Sequence, residues 1–305
     1  MKIITSGQSW IDIDALACGV AYAELIGAES KLILKGSLNA TISKTIKSFA
    51  PNFASIYQAN DIDQFILVDI SDPRFFADFV DEKRVIEVWD YRRGFENYWQ
   101  KRIGSHNIEI LGACATLIWE EFEKRNKPIS ELSANLLYTA IFSNTLNLSS
   151  SNTTARDREA ISKLLLYTNL PDNWIELYYK ETKENVLQNI NYCIKNDTKE
   201  VNIEGHVVTI AQLEFWKADD FLSIDGIEDL VQKLLGKNEL WFLTVPCISE
   251  NKNYFITKSK KTKQLLSDAI GVTFDGNIGS NNQVFLRKEI IHILKQRSDV
   301  ISKTS

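Results

Sequence analysis

The sequence predicts a two-domain α/β protein: an N-terminal parallel sheet with helices on both faces, then a smaller C-terminal mixed α/β domain. Three observations predict it. Phe65-Ile66-Leu67-Val68 and Val85-Ile86-Glu87-Val88-Trp89 are nearly continuous apolar runs, and each ends in an acid, Asp69 and Asp90. Strands of that kind belong to parallel sheets buried on both faces. The opening residues read as strand, loop and helix: a β-branched run over 1–6, Gly7, then a helical pattern from Asp14 to Leu25. Finally, 305 residues exceed one ordinary compact core, so two domains are expected.

The remaining elements follow in order. Lys31–Leu34 reads as a strand, and Thr41–Phe49 as a helix ended by Pro51. Helices are expected over 112–125, 129–146, 154–167 and 172–196. Thr154 and Asp157 mark the third start, with the acid in the first turn. Lys195–Glu200 is the candidate linker, giving domains at 1–190 and 200–305. Beyond it, 201–215 alternates like strands around a turn at Gly205. Gly226–Leu235 and Lys261–Ala269 read as helices, and Leu240–Cys247 and Tyr254–Lys258 as strands. Val284–Leu294 fits either strand or helix. No internal repeat or low-complexity tract is present.

Composition narrows the function. The apolar fraction is 44%, the charged fraction 25%, and the net charge −5, without the basic footprint that nucleic-acid binding requires. No stretch reads as a membrane span or a signal peptide. The four cysteines, Cys18, Cys114, Cys193 and Cys247, are far apart and suggest neither a disulfide framework nor a zinc knuckle. Cys18 and Cys114 sit among small apolar residues and read as core. Together these features predict a cytoplasmic protein that acts on a small molecule, not on nucleic acid or membrane. The lysines at 258, 260, 261 and 263 read as a solvated helix start.

The chemistry is expected at the acids. Asp12 and Asp14 lie on a loop leaving the first strand, and Asp69 and Asp90 end two others. Open α/β sheets bind ligands at that carboxyl edge. Carboxylates gathered there raise one another's pKa unless a cation sits among them. Oxygen ligands suit magnesium or manganese, which polarise phosphoryl oxygens. Either first-loop acid alone reads equally well as a helix cap. The four together favour a shared site.

The motifs then become specific. Gly7-Gln8-Ser9-Trp10-Ile11-Asp12-Ile13-Asp14-Ala15, Val68-Asp69-Ile70-Ser71, Asp90-Tyr91-Arg92-Arg93, Gly112-Ala113-Cys114-Ala115-Thr116 and Ser143-Asn144-Thr145-Leu146 run in the order and spacing of a known set. In that set they read G-H-x-N-P-D-x-D-[ST], V-D-H-N, D-H-H-R, G-x-x-A-T and S-D-[ST]-L. The chain resembles the DHH phosphoesterase superfamily, and within it the family II (manganese-dependent) inorganic pyrophosphatases, the exopolyphosphatases and the Prune-like proteins. The resemblance implies a DHH domain, a C-terminal substrate-binding domain and an active-site cleft between them. It places Asp69, Asp90 and Arg92 at the catalytic centre, and metal on Asp12, Asp14, Asp69, Gln8 and Asn144. Arg92, Arg93, Arg287 and Lys288 would then bind substrate.

The departures from the pattern also carry information. Gln8 and Tyr91 replace histidines that hold metal in the family, Asn144 replaces an aspartate, and Arg92 replaces the second histidine of D-H-H. An amide oxygen does not match imidazole for manganese. Losing an acid and gaining a guanidinium both weaken attraction for a dication. The expectation is one weakly bound magnesium or manganese ion rather than two. Arg92 and Arg93 either pair with phosphate or form a salt bridge to a surviving aspartate. The functional expectation is a divergent phosphohydrolase, as a homodimer, acting on a phosphoanhydride or phosphoester of the pyrophosphate, polyphosphate or nucleotide class. The alternative is an inactive relative that binds a phosphorylated ligand or a protein.

Overall fold

The structure is a computed structural model that describes residues 1–104, 106–203 and 205–297. The chain divides into two compact units, 1–148 with 152–178, and 149–151 with 179 onward.

The first unit is built on a five-stranded parallel sheet. Its elements in chain order are β1 (Lys2–Thr5), β2 (Trp10–Ile11), α1 (Ile13–Ile26), β3 (Ser30–Leu32), β4 (Ser37–Leu38), α2 (Lys44–Ser48), β5 (Gln64–Val68), β6 (Val85–Asp90), α3 (Glu96–Ile103), β7 (Asn107–Ile108), α4 (Cys114–Lys124), α5 (Glu131–Asn144), α6 (Ala155–Leu164) and α7 (Trp174–Gln188). The strand order is β3-β1-β5-β6-β7, with β2 and β4 forming a small separate pair. Alternation explains why β5 is apolar throughout. Phe65 and Leu67 join Ile3, Val88 and the α3 residue Trp99 in one buried cluster. Ile66 and Val68 point to the opposite face, where α1 lies over β1, β3 and β5. The small residues of α1 serve this packing. A Cβ on Gly19 would stand 2.7 Å from Leu32 Cδ1, so the helix approaches β3 as closely as only glycine permits.

The second unit has a six-stranded mixed sheet. Here α8 (Ile190–Asn196), β8 (Lys199–Ile203), β9 (His206–Gln212), α9 (Asp219–Leu222), α10 (Ile227–Leu235), β10 (Leu240–Cys247), β11 (Lys252–Ile256), α11 (Lys260–Ile270), β12 (Thr273–Asp275), β13 (Ile278–Asn281) and α12 (Arg287–Gln296) follow one another. The order is β12-β13-β11-β10-β9-β8, with β9 and β10 parallel and the other pairs antiparallel. All eight residues of β10 are buried, as a central strand covered on both faces requires. Leu265 and Leu266 of α11 and Ile290 and Leu294 of α12 pack against Ile210, Phe242 and Phe255.

Several expectations shift. The ambiguous 284–294 stretch is helical from Arg287. Ile290 and Leu294 recur at helical spacing on the core side, and Glu289 accepts from Leu286 N at 2.6 Å to start the turn. The helix expected over 172–196 breaks at Asn189, whose φ of −150° is not helical. The expected linker, Lys195–Glu200, is structured as the end of α8 and the start of β8. Asp197 within it pairs with Arg287 at 2.6 Å. The units instead divide inside α7, between Tyr178 and Tyr179.

Candidate functional site

The sheet order itself locates a site. From β1 the chain crosses by α1 to β3 on one side, and the next sheet strand, β5, lies on the other side of β1. Such a reversal leaves a crevice at the carboxyl ends of the two central strands. Asp12 and Asp14 follow β1, Asp69 follows β5, and Asp90 ends neighbouring β6.

Asp12 caps α1, accepting from Ala15 N at 2.9 Å. Asp14 is wholly buried and caps a different helix. One oxygen accepts from Cys114 N at 2.9 Å and from the Asn144 amide, the other from Ala115 N at 2.9 Å and Cys18 Sγ at 3.4 Å. Those backbone groups open α4, whose own N-cap, Ala113, has no side chain able to cap it. Four donors saturate a carboxylate. Burial, with Asp12's charge adding, still pushes Asp14 up to about 6, against the pull of the two amide bonds.

Asp69 sits just past β5 at a φ of 54°, a left-handed conformation that aspartate tolerates better than most residues. It is 7% exposed. Burial pushes its carboxyl well above the usual range; Arg92 opposes this, and Asp14, Asp12 and Asp90 add to it. Asp69 and Asp90 are tied together by Arg92, and the charges of Asp12 and Asp14 lie near enough to act on Asp69.

Arg92 points into the cluster. Its Nη2 donates to Asp69 Oδ1 at 2.9 Å and to the Asp69 carbonyl, and its Nε donates to Asp90 Oδ1 at 3.0 Å. Asp90 also accepts from Arg92 N at 3.2 Å and from Ser71 Oγ at 2.6 Å. The guanidinium lies 5.0 Å from the Tyr91 ring centre, and 45% of the Arg92 side chain remains exposed. Both sequence alternatives for this residue therefore have a foothold. One edge of the guanidinium bridges two aspartates, and part of the long side chain is exposed. Arg93 is exposed on the same turn.

The other expected site residues are each held differently. Gln8 is exposed, and its backbone N–H donates to the Phe75 carbonyl at 3.1 Å. Asn144 bonds Asp14 directly. Arg287 and Lys288 open α12 in the second unit, where Arg287 Nη1 is held by the carboxylate and carbonyl of Asp197. Two contributors were not anticipated as site residues. Ser71 holds Asp90, and the α4 amides hold Asp14. A helix start lacking any polar cap, Gly112-Ala113-Cys114, was the signal for the second. Gly112 is itself required, since a Cβ there would meet Thr145 Cγ2 at 2.4 Å.

The chemistry of the donor set suits a hard cation, but its arrangement does not hold one. Asp14 is saturated, Asp69 and Asp90 are bridged by Arg92, and among the described residues no three His, Cys, Asp or Glu side chains are placed to bind a metal ion.

A protein of Listeria welshimeri, described as a probable manganese-dependent inorganic pyrophosphatase, is 26% identical over 302 residues, covering 96% of this chain and 97% of its own length. One of Bacillus licheniformis, with the same description, is 25% identical over 299 residues, covering 95% and 96%. The chain resembles the manganese-dependent inorganic pyrophosphatases over nearly its whole length. No protein-family model matches it. Among solved structures, a Methanococcus jannaschii protein assigned to the family II inorganic pyrophosphatases superposes with a TM-score of 0.68 at 20% identity, covering 100% of this chain and 99% of that one. An exopolyphosphatase-related protein from Bacteroides fragilis gives 0.51 at 13% identity, covering 99% and 92%. The fold is that of the family II pyrophosphatase structure.

Proposed function

We propose that this protein is a divergent phosphohydrolase of the pyrophosphatase and exopolyphosphatase type, acting on a phosphoanhydride or phosphoester. One observation carries the reading: Asp12, Asp14, Asp69 and Asp90 gather at the carboxyl edge of a parallel sheet, at its topological switch point. The relatives' descriptions name pyrophosphate and manganese; magnesium in its place, and one ion rather than two, belong to this reading. Such a cation, when bound, supplies electrophilic stabilisation of the phosphoryl oxygens. The exposed face of Arg92, with Arg93 beside it, binds phosphoryl oxygens. Asp69, an acid at the strand end paired with Arg92, accepts the proton of the attacking water as the bridging P–O bond breaks. Free cysteines and the absence of any described helix long and apolar enough to cross a membrane accord with a cytoplasmic place of action.

The test is phosphate release from pyrophosphate, tripolyphosphate and ATP, with magnesium or manganese, for the wild type and Asp69→Asn. Release is expected, with a loss of at least about 100-fold in the variant. Release that the variant leaves unchanged would assign the activity to something else.

A second reading is favoured by the Arg92 bridge, which already supplies part of the countercharge that a cation would bring, and by the neutral Asn144 amide that occupies Asp14. In it, the protein binds a phosphorylated ligand without hydrolysing it. Saturable pyrophosphate binding without phosphate release selects this reading.

A further inference from the structure

Asp14, Asp69 and Asp90 are nearly buried, at 0%, 7% and 2% exposed, so each needs donors or a positive charge close by. A hard divalent ion is one such partner, and it asks for about six oxygen ligands free to turn toward it. This chain supplies other partners from within. Arg92 spans Asp69 and Asp90 through Nη2 and Nε, at 2.9 and 3.0 Å. Asp90 is also held from behind. Ser71 Oγ donates to it at 2.6 Å, and the Ser71 carbonyl accepts from Nε1 of the fully buried Trp99 at 2.8 Å. Asp14 accepts from Cys114 N and Ala115 N, both at 2.9 Å, and from the Asn144 amide.

We infer that this centre carries its countercharge built in: Arg92 neutralises Asp69 and Asp90, Asp14 is committed to the start of α4, and the fold needs no divalent ion on these aspartates. Three features support a closed arrangement. An ion at Asp14 would have to take its oxygens from two backbone amides that the Ala113 cap cannot satisfy, and the first turn of α4 would open. An ion between Asp69 and Asp90 would have to expel a guanidinium that donates to Asp69 Oδ1, to the Asp69 carbonyl and to Asp90 Oδ1. The backbone of Arg92 is tied to the same place, since its N–H donates to Asp90 Oδ1 at 3.2 Å. Finally, the acids are not grouped around a common point: among the described residues no three His, Cys, Asp or Glu side chains are placed to hold a metal ion. The inference rests on the proposed function in one respect. With a phosphorylated ligand, a divalent ion that takes part rides on the ligand's phosphate and not on the carboxylates.

The experiment is thermal unfolding of the wild type, Arg92→Gln and Arg92→Lys, each in a chelator and in about 1 mM manganese chloride, with calorimetric titration of the wild type by manganese chloride alone. The wild type is expected to melt at one temperature in both solutions and to give no saturable heat. A resident site of micromolar affinity would instead be filled about a thousandfold over its Kd and would raise the melting temperature by several degrees. Arg92→Gln leaves two buried acids without countercharge and is expected to melt at least about 3 °C lower in chelator. Arg92→Lys keeps the charge but not the fork, and is expected to recover part of that loss. Saturable manganese binding to the wild type, or a manganese-dependent rise in its melting temperature, overturns the inference. So does an Arg92→Gln protein that melts with the wild type. Should Arg92→Gln not fold, Arg92→Lys and the wild-type titration decide. Pyrophosphate titration with and without manganese tests the underlying reading separately. Binding in neither condition overturns that reading, while the titration by manganese alone still decides the inference.

Discussion

Arg92 and Asp69, 23 positions apart, are joined at 2.9 Å across the carboxyl edge of the first sheet, in a cluster where three further aspartates surround them. A half-exposed arginine on a buried acid stands between two limits. Exposed pairs contribute about 0–1 kcal/mol, whereas breaking a buried one costs about 3–5. A double-mutant cycle of Asp69→Asn and Arg92→Gln, read by urea unfolding in the absence of divalent cations, is expected to give a coupling of about 1–2 kcal/mol. Additive effects would show that the bridge contributes nothing to stability.

Asp14 is predicted to be structural as well as chemical. Asp14→Ala removes the acceptor for Cys114 N and Ala115 N, which α4 cannot replace from its own sequence. Each orphaned buried donor costs about 1–3 kcal/mol. The expected loss is about 3 kcal/mol in urea unfolding, with slowed amide-exchange protection lost first at the start of α4. A loss below about 1 kcal/mol would mean that water takes over the cap.

Asn144 holds Asp14 without adding charge. Asn144→Asp places a second carboxylate against a buried one. Each then raises the other's pKa, so the folded state binds protons that the unfolded state releases. Stability relative to wild type is therefore kept at low pH and lost as pH rises through the raised values. The melting temperature is expected to fall at pH 7.5, to match wild type near about pH 4, and to recover at pH 7.5 when magnesium or manganese is added. A variant indifferent to both pH and cation would contradict the geometry.

Much of this was readable in the residues, for identifiable reasons. Continuous apolar runs ending in Asp69 and Asp90 fix parallel strands because both faces of such strands are covered, and the carboxyl edge follows. The grouping of the acids was legible for the same reason. The direction of Arg92 was not: a side chain two residues past a strand end can turn inward or outward, and only the position of Asp69 decides. Asp14's role depends on a bond spanning 100 positions, which no local pattern reports. Helix ends drifted by two or three residues because caps such as Ser43 and Ser130 lie inside the apolar pattern's flanks. The division inside α7 was illegible because a continuous helix carries no compositional mark where its packing partners change.

Glu214 offers a pH test within the second unit. It accepts from Gln212 Nε2 at 2.6 Å, at the end of the strand whose Gln212 Oε1 also receives Arg287 N. Burial, with the charge of Asp197 adding, pushes its carboxyl up to about 7; the Gln212 bond and the charges of Arg287 and Lys288 pull the other way. In the unfolded chain it titrates near the ordinary 4.5. Between those values the folded protein holds a proton that the unfolded one gives up, so the stabilisation is complete below about pH 4.5 and disappears as pH rises through about 7. Glu214→Gln keeps an oxygen for Gln212 and removes the titration. The variant is expected to show a flatter stability profile from pH 5 to 7 and to exceed the wild type above pH 7.5 by up to about 2 kcal/mol, measured by urea unfolding across that range. An unchanged slope would place Glu214 in water, ionised throughout.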